Sequence, residues 1–102
     1  MLNQQVTVTA RMNVKQGLEN KFKDEFQNVI AMTLSEEGCI NYDLHQSIDN
    51  PSLFLLHENW VSMEILEQHL ETEYIKALGQ KAAEFLVEPP EVMLWQQIVY
   101  NS

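Results

Sequence analysis

Apolar and polar side chains alternate along the first part of the chain. Apolar residues stand at every second position from Val6 to Val14, with threonine, arginine and asparagine between them. This period of two predicts a strand with one buried face. From Leu18 the apolar residues recur every three or four positions, which predicts an amphipathic helix that ends within Leu34 to Gly38, where Gly38 is a natural C-terminal stop.

Alternation returns in the middle of the chain. It runs from Cys39 to Ser47 and again from Leu53 to Trp60. Between the two segments lie Asp, Asn, Pro and Ser at residues 49–52, which are residues of tight turns. The pattern therefore predicts two strands joined as an antiparallel hairpin.

After the second of these strands, apolar residues with helical spacing occur in two segments. A final β-prone segment follows them. Ser62 is expected to cap a short helix ending at Leu70, and Thr72 is expected to cap a second one. Two consecutive prolines, within residues 88–91, prevent that helix from continuing. Residues from Val92 to Tyr100 are rich in Val, Ile, Trp and Tyr, which predicts the last strand.

The predicted order is β-α-β-β-α-β, with the second helical region split in two. This is the order of an α+β ferredoxin-like fold, in which helices cover one face of an antiparallel sheet. The uncovered face would carry Leu53, Leu55, His57, Met93, Trp95 and Val99. Because contiguous exposed apolar patches are uncommon on monomers, we expect a homodimer packed sheet against sheet. The alternatives are that these groups stay exposed, or that the strand phase differs by one residue.

Composition restricts the classes of partner. The 102 residues suit a single domain, 1–102. Six Lys and Arg against fifteen Asp and Glu give a net charge of −9, which argues against binding nucleic acid or an anionic membrane surface. No apolar run reaches the roughly 18 residues that span a bilayer. Since Cys39 cannot form an internal disulfide, we expect a cytoplasmic location.

The junction between the third strand and the following helix carries the most site-like residues. Strand parity places Leu56, Glu58 and Trp60 on one face, and helical spacing turns His69 toward the same side. Tyr74 begins the next helix and could reach the same space. Polar groups converging in an apolar pocket are typical of a small-molecule site. Burial would raise the pKa of the Glu58 carboxyl, which suits a general base.

Each of these residues also has a purely structural interpretation. Trp60 and His69 could be ordinary core residues, and Tyr74 could pack with its hydroxyl at the surface. The carboxyl of Glu58 could pair with Arg11 or accept a hydrogen bond from a helix-end amide. The sequence leaves these alternatives open.

The histidines do not indicate a metal site. His45, His57 and His69 are twelve residues apart on different elements, and parity places the first two on the opposite face of the sheet. Convergence on one ion is therefore not expected. A glycine-rich phosphate loop and a recognisable nucleophile are also absent from the sequence.

Several short motifs, in their order and spacing, resemble the antibiotic biosynthesis monooxygenase (ABM) family. They are Lys15-Gln16-Gly17, Glu36-Glu37-Gly38-Cys39, Tyr42-Asp43-Leu44-His45-Gln46, His57-Glu58-Asn59-Trp60-Val61-Ser62 and Leu66-Glu67-Gln68-His69-Leu70-Glu71-Thr72. The resemblance covers about residues 6 to 100. It implies a dimeric α/β barrel and oxygenation of electron-rich aromatics, such as quinols, by O2 without a cofactor or metal.

The resemblance implies a small cofactor-independent monooxygenase of the quinol monooxygenase branch. The expected catalytic residues are His69, Glu58 and Trp60. The expected substrate-binding residues are Trp60, Tyr74, Leu56, Phe22 and Phe26. Glu58 or His69 would accept the proton of a phenol, and the indole would stack on its ring.

Departures from the family pattern keep other functions open. Cofactor-free members place an asparagine where this chain has Leu56. The haem-degrading branch has an asparagine at the position of Ala10 and its iron-binding histidine near Gly79, so haem degradation is not expected. One alternative is an isomerase or lyase of a small carbonyl compound that uses His69 and Glu58 as acid and base. Another is a non-catalytic dimer that binds a small molecule.

Overall fold

The computed structural model describes residues 4–99, and within them the predicted order of elements is confirmed. The elements are β1 (Val6–Asn13), α1 (Glu19–Leu34), β2 (Cys39–Gln46), β3 (Leu53–Trp60), α2 (Met63–Leu70), α3 (Glu73–Phe85) and β4 (Glu91–Trp95). The strands form one antiparallel sheet in the order β2-β3-β1-β4. The fold is the predicted α+β ferredoxin-like arrangement.

The strand register separates an apolar inner face from a mixed outer face. Ala10 pairs with Leu56 and Met12 with Phe54, and all four side chains are buried. The core is completed by one side of α1, where Phe22, Phe26, Val29 and Thr33 are buried. His57 pairs with Thr9 and with Asp43 on the outer face, so its predicted placement away from the core is confirmed.

Two strands depart from the predicted pattern. β4 ends at Trp95, which pairs with Thr7, so its predicted extension through residues 96–99 is wrong. β1 begins at Val6, one residue before Thr7, so it offers a ladder partner to at most one residue beyond Trp95. The predicted end at Tyr100 lies outside the described residues. In β2 the register shifts between Cys39 and Asn41, and Ile40 is half exposed at this irregularity.

The connections into and out of α2 fix where the helix begins and ends. Ser62 accepts a hydrogen bond from the Ile65 amide at 3.2 Å, which confirms the predicted N-cap. Thr72 occupies the N-cap position of α3, but its hydroxyl donates to the carbonyl of His69 at 2.7 Å. The Thr72 hydroxyl therefore closes the end of α2 instead of capping α3.

The outer face of the sheet carries half-exposed apolar side chains in the single chain. The exposed fractions are 41% for Leu55, 46% for Met93 and 49% for Trp95. Val99 does not belong to the strand as described. The homodimer inferred from this face stays a prediction. Within residues 4–99, no helix combines the length and the apolar character needed to cross a membrane.

Candidate functional site

A cavity of about 260 Å3 lies between the sheet and the helices. On the sheet side it is bordered by Val8, Ala10 and Leu56, and on the helix side by Ile75, Leu78 and Ala82 of α3. This volume is slightly below the roughly 300–1,000 Å3 that is typical of ligand sites. The space suits a small, mostly apolar molecule.

Glu58 places a buried carboxyl group at the wall of this cavity. Its side chain is 6% exposed and borders the cavity, and its Oε1 accepts a hydrogen bond from Trp60 Nε1 at 2.7 Å. Burial raises the pKa of Glu58 to about 7, although the indole donor acts in the opposite direction. The alternative pairing with Arg11 is wrong, because Arg11 pairs in register with Leu55 on the outer face.

Trp60 supports the polar groups of the site from within the core. It is completely buried and does not border the cavity. Its ring centroid is 4.4 Å from that of His69, and its indole nitrogen donates to Glu58. This burial does not favour the predicted stacking of Trp60 on a substrate ring, which would require the side chain to move.

His69 is held in the last turn of α2 by one hydrogen bond and three rings. Its side chain is 2% exposed and borders the cavity. The Nδ1 atom lies 2.9 Å from Glu36 Oε2, and the rings of Tyr42, Trp60 and Tyr74 pack around the imidazole. Because a carboxylate can only accept, Nδ1 must carry the hydrogen in this contact.

The second imidazole nitrogen has a different environment. Among residues 4–99, no hydrogen-bond partner is present at His69 Nε2. Every fully buried side-chain nitrogen and oxygen in the described residues does have a partner. Nε2 therefore keeps some accessible surface, on a residue that borders the cavity.

Tyr74 differs from both of its predicted roles. It does not border the cavity, and its hydroxyl is not free at the surface. Instead the hydroxyl donates to the Glu36 carboxylate and lies 3.0 Å from Thr33 Oγ1. Burial, together with donation to Glu36, raises the pKa of Tyr74 to about 12.

The structure brings most of the predicted residues to one cavity. Those that border it are His69, Glu58, Leu56, Phe22 and Phe26. Trp60 and Tyr74 contact His69 from the surrounding core. The functional roles assigned to these residues stay predictions, whereas their common location is an observation.

Sequence reasoning missed Tyr42 and Glu36. Tyr42 is buried, borders the cavity and pairs in register with Glu58. Its alternation with Leu44 on an inner face was a usable signal. Glu36 lies in the loop after α1, 33 residues before His69, and no periodicity in the sequence connects the two.

Two other kinds of site, a metal centre and a cysteine nucleophile, have little support within the described residues. Between residues 4 and 99, no three His, Cys, Asp or Glu side chains are grouped so that they could hold a metal ion. Burial raises the pKa of the Cys39 thiol to about 11, which disfavours the thiolate that a nucleophile requires.

The sheet, its helical layer and the cavity between them define a class of small α+β domains with room for one compact ligand. The chain belongs to the antibiotic biosynthesis monooxygenase family, which it matches over residues 5–81. It is 26% identical to the "Putative monooxygenase YcnE" of Bacillus subtilis, covering 86% of this chain and 93% of that protein. It is 28% identical to the "Probable quinol monooxygenase YgiN" of Escherichia coli, covering 74% and 82%.

Longer relatives and solved structures extend the comparison. The chain spans 62% of an uncharacterised Synechocystis protein, sll1783, at 26% identity. A conserved protein from Methanosarcina mazei superposes with a TM-score of 0.88 at 27% identity, covering 93% of this chain and 94% of that one. Rv0793 from Mycobacterium tuberculosis gives 0.88 at 24% identity, covering 97% and 100%, and this likeness concerns the fold alone.

Proposed function

We propose that this protein is a cofactor-independent monooxygenase that oxidises a quinol-like or phenolic aromatic with O2. The observation that carries the proposal is the buried carboxyl of Glu58, which burial brings to a pKa of about 7 at the wall of an apolar cavity. A base with this pKa is half ionised near neutral pH, where general-base catalysis is most effective. Membership of the family and the names of two relatives support the reaction class.

The cavity walls suit a flat, uncharged ring. Phe22 and Phe26 border the cavity with their rings tilted at 39° and 5.4 Å apart, and Leu56 adds an apolar surface from the sheet. In this proposal these three side chains hold the aromatic ring. Glu58 accepts the phenolic proton, and His69 Nε2 accepts a hydrogen bond from a second hydroxyl.

Deprotonation is the step that the protein must assist. Ground-state O2 is a triplet and reacts slowly with closed-shell molecules, whereas an aromatic anion can transfer one electron to it. The resulting radical pair combines into a peroxide, which loses water to leave a new carbonyl or hydroxyl on the ring. For a hydroquinone, one oxygen atom enters the hydroxyquinone product and the other leaves as water, so the substrate supplies both electrons.

The charge of the cavity lining bears on the alternative of an isomerase or lyase, if its carbonyl substrate is an anion. None of the residues that border the cavity, all between positions 8 and 94, is Lys or Arg. A phosphate or carboxylate would enter without a cationic partner and lose its hydration, which is costly. A neutral phenol loses much less hydration free energy on entering the cavity, so the lining favours a phenol over an anionic carbonyl compound.

Oxygen consumption tests the reaction directly. With 1,4-naphthohydroquinone in a sealed electrode cell, we expect protein-dependent uptake of one O2 per substrate. When the reaction is run under 18O2, we expect one 18O atom in the product. Adding catalase afterwards should release no O2, because the second oxygen atom leaves as water and not as hydrogen peroxide. Glu58→Gln should lower the rate at least tenfold, and the exposed Glu37→Gln should not. Turnover that survives strict anaerobiosis would support the isomerase or lyase. Saturable binding of aromatics without turnover would support the non-catalytic dimer.

The outer face of the sheet supports a homodimer as part of the same proposal. Leu55, Met93 and Trp95 present half-exposed apolar surface there, and burial against a second copy would remove this surface from water. Light scattering should give twice the mass of one chain. A monomeric mass at micromolar concentration would refute the dimer without affecting the proposal for the cavity.

A further inference from the structure

Four polar side chains from four segments form one hydrogen-bonded chain beside the cavity. Thr33 of α1 lies 3.0 Å from the hydroxyl of Tyr74 of α3. That hydroxyl donates to Glu36 in the loop after α1, and Glu36 Oε2 lies 2.9 Å from Nδ1 of His69 in α2. Since a carboxylate has no hydrogen to give, both neighbours must donate to it.

We infer that Glu36 is a positioning residue that fixes the tautomer of His69. By accepting the hydrogen of Nδ1 it keeps the neutral ring in the Nδ1–H form and leaves Nε2 as an acceptor at the cavity. Which imidazole nitrogen carries the hydrogen is set by the bond that the other nitrogen makes. This inference deepens the proposed function and rests on it for the role of His69, but the tautomer can be measured without any turnover.

The packing around the imidazole agrees with a requirement for one defined orientation. The Trp60 ring lies 4.4 Å from the imidazole and is tilted by 37°, while Tyr42 and Tyr74 meet it edge to face. These three rings restrict rotation of the imidazole about its own bond. A ring flip would move Nδ1 away from Glu36 and leave the carboxylate with Tyr74 as its partner.

A purely structural role for Glu36 is the competing explanation. The carboxylate does connect α2 and α3 to the end of α1, so its removal should lower stability in either case. If Glu36 were only a structural link, however, its removal would give the hydrogen no reason to leave Nδ1. The ring tautomer therefore distinguishes the two explanations, whereas the free energy of unfolding does not.

The tautomer is read from the 15N chemical shifts and long-range 1H–15N couplings of the His69 ring, at a pH where the ring is neutral. We expect the wild-type ring to be Nδ1–H. Glu36→Ala should move it toward the Nε2–H form that histidine prefers in water. Glu36→Gln should retain Nδ1–H, because the amide oxygen can still accept. The matched control is Glu37→Ala, since Glu37 is exposed and adjacent, and it should change nothing.

Three results would overturn the inference. The first is an Nε2–H ring in the wild-type protein, which needs no variant and so does not depend on whether Glu36→Ala folds. The second is an unchanged ring in folded Glu36→Ala, and the third is an equal shift in Glu37→Ala. If oxygenation is observed, Glu36→Ala should lower kcat about 10- to 100-fold with little change in KM, as loss of orienting partners does for imidazole ligands in metal sites. If oxygenation is not observed, the NMR result still decides the role of Glu36.

Discussion

Replacing Glu58 with glutamine should remove much of the pH dependence of stability between pH 5 and pH 8. Burial raises the pKa of this carboxyl from 4.5 to about 7 in the folded protein. A group with a raised folded-state pKa contributes its full stability below the unfolded pKa and loses it as the pH rises through the folded pKa. The wild-type protein should therefore become less stable from pH 4.5 upward.

The size of this effect follows from the two pKa values. At 1.36 kcal/mol per pKa unit, their separation corresponds to about 3 kcal/mol over the full range. Integrating between pH 5 and pH 8 gives a loss of about 2.5 kcal/mol from this one group. Glu58→Gln cannot ionise, and its amide oxygen can still accept from the Trp60 indole, so the variant should lack this slope.

The assay is urea denaturation at a series of pH values, with the protein concentration held constant because assembly changes apparent stability. The quantity compared is the difference in free energy of unfolding between wild type and variant at each pH. Glu37→Gln is the control, since its side chain is exposed and its curve should run parallel to that of the wild type. Parallel curves for Glu58→Gln and wild type over this range would refute the placement of Glu58 in a desolvated site.

Three further substitutions test the space around two glycines and the proposed dimer interface. Gly38 has φ +95° and an added Cβ would lie 2.6 Å from an Ile65 methyl. Gly38→Ala should therefore lower the free energy of unfolding, measured by denaturation, by about 2 kcal/mol or more. The loss should exceed that of Gly17→Ala, because Gly17 has a similar φ of +96° but no atom within 4 Å of an added Cβ. Equal losses would contradict the steric explanation. Gly79→Ala should stabilise α3 by about 1 kcal/mol, because its Cβ would meet nothing within 4 Å, and a lower melting temperature would count against this. Trp95→Glu should shift the mass measured by light scattering from dimer to monomer, and an unchanged dimer would place the interface elsewhere.

Much of the fold could be predicted because local pattern and tertiary structure agree. The alternation from Leu53 to Trp60 gave the bounds of β3 without error, and Ser62 marked the start of α2 through an ordinary N-cap. The end of β4 could not be predicted in this way. It depends on where β1 begins to offer partners, and this is a property of two distant segments and not of the composition of β4.

The positions of the site residues could be predicted only where the periodicity of a strand or helix determined which face they occupy. Strand parity placed Glu58 and Leu56 on the inner face, and helical spacing placed His69 there as well. Parity could not show that Trp60 would be fully covered, since a residue can share a face with the cavity and still lie beyond its edge. Nor could it show that the Tyr74 hydroxyl is held by Glu36, a contact that joins residues 38 positions apart.

The two tryptophans report on separate events in the same molecule. Trp60 has no exposed surface and donates its indole hydrogen to Glu58, so its emission should be blue-shifted and should change as that carboxyl gains or loses its proton. Trp95 is half exposed on the other side of the sheet, with its indole donating to Thr9 at 2.8 Å. Its emission should respond instead to association of two chains. A single fluorescence spectrum, resolved into its two components, would thus follow ionisation at the cavity and assembly at the opposite face independently.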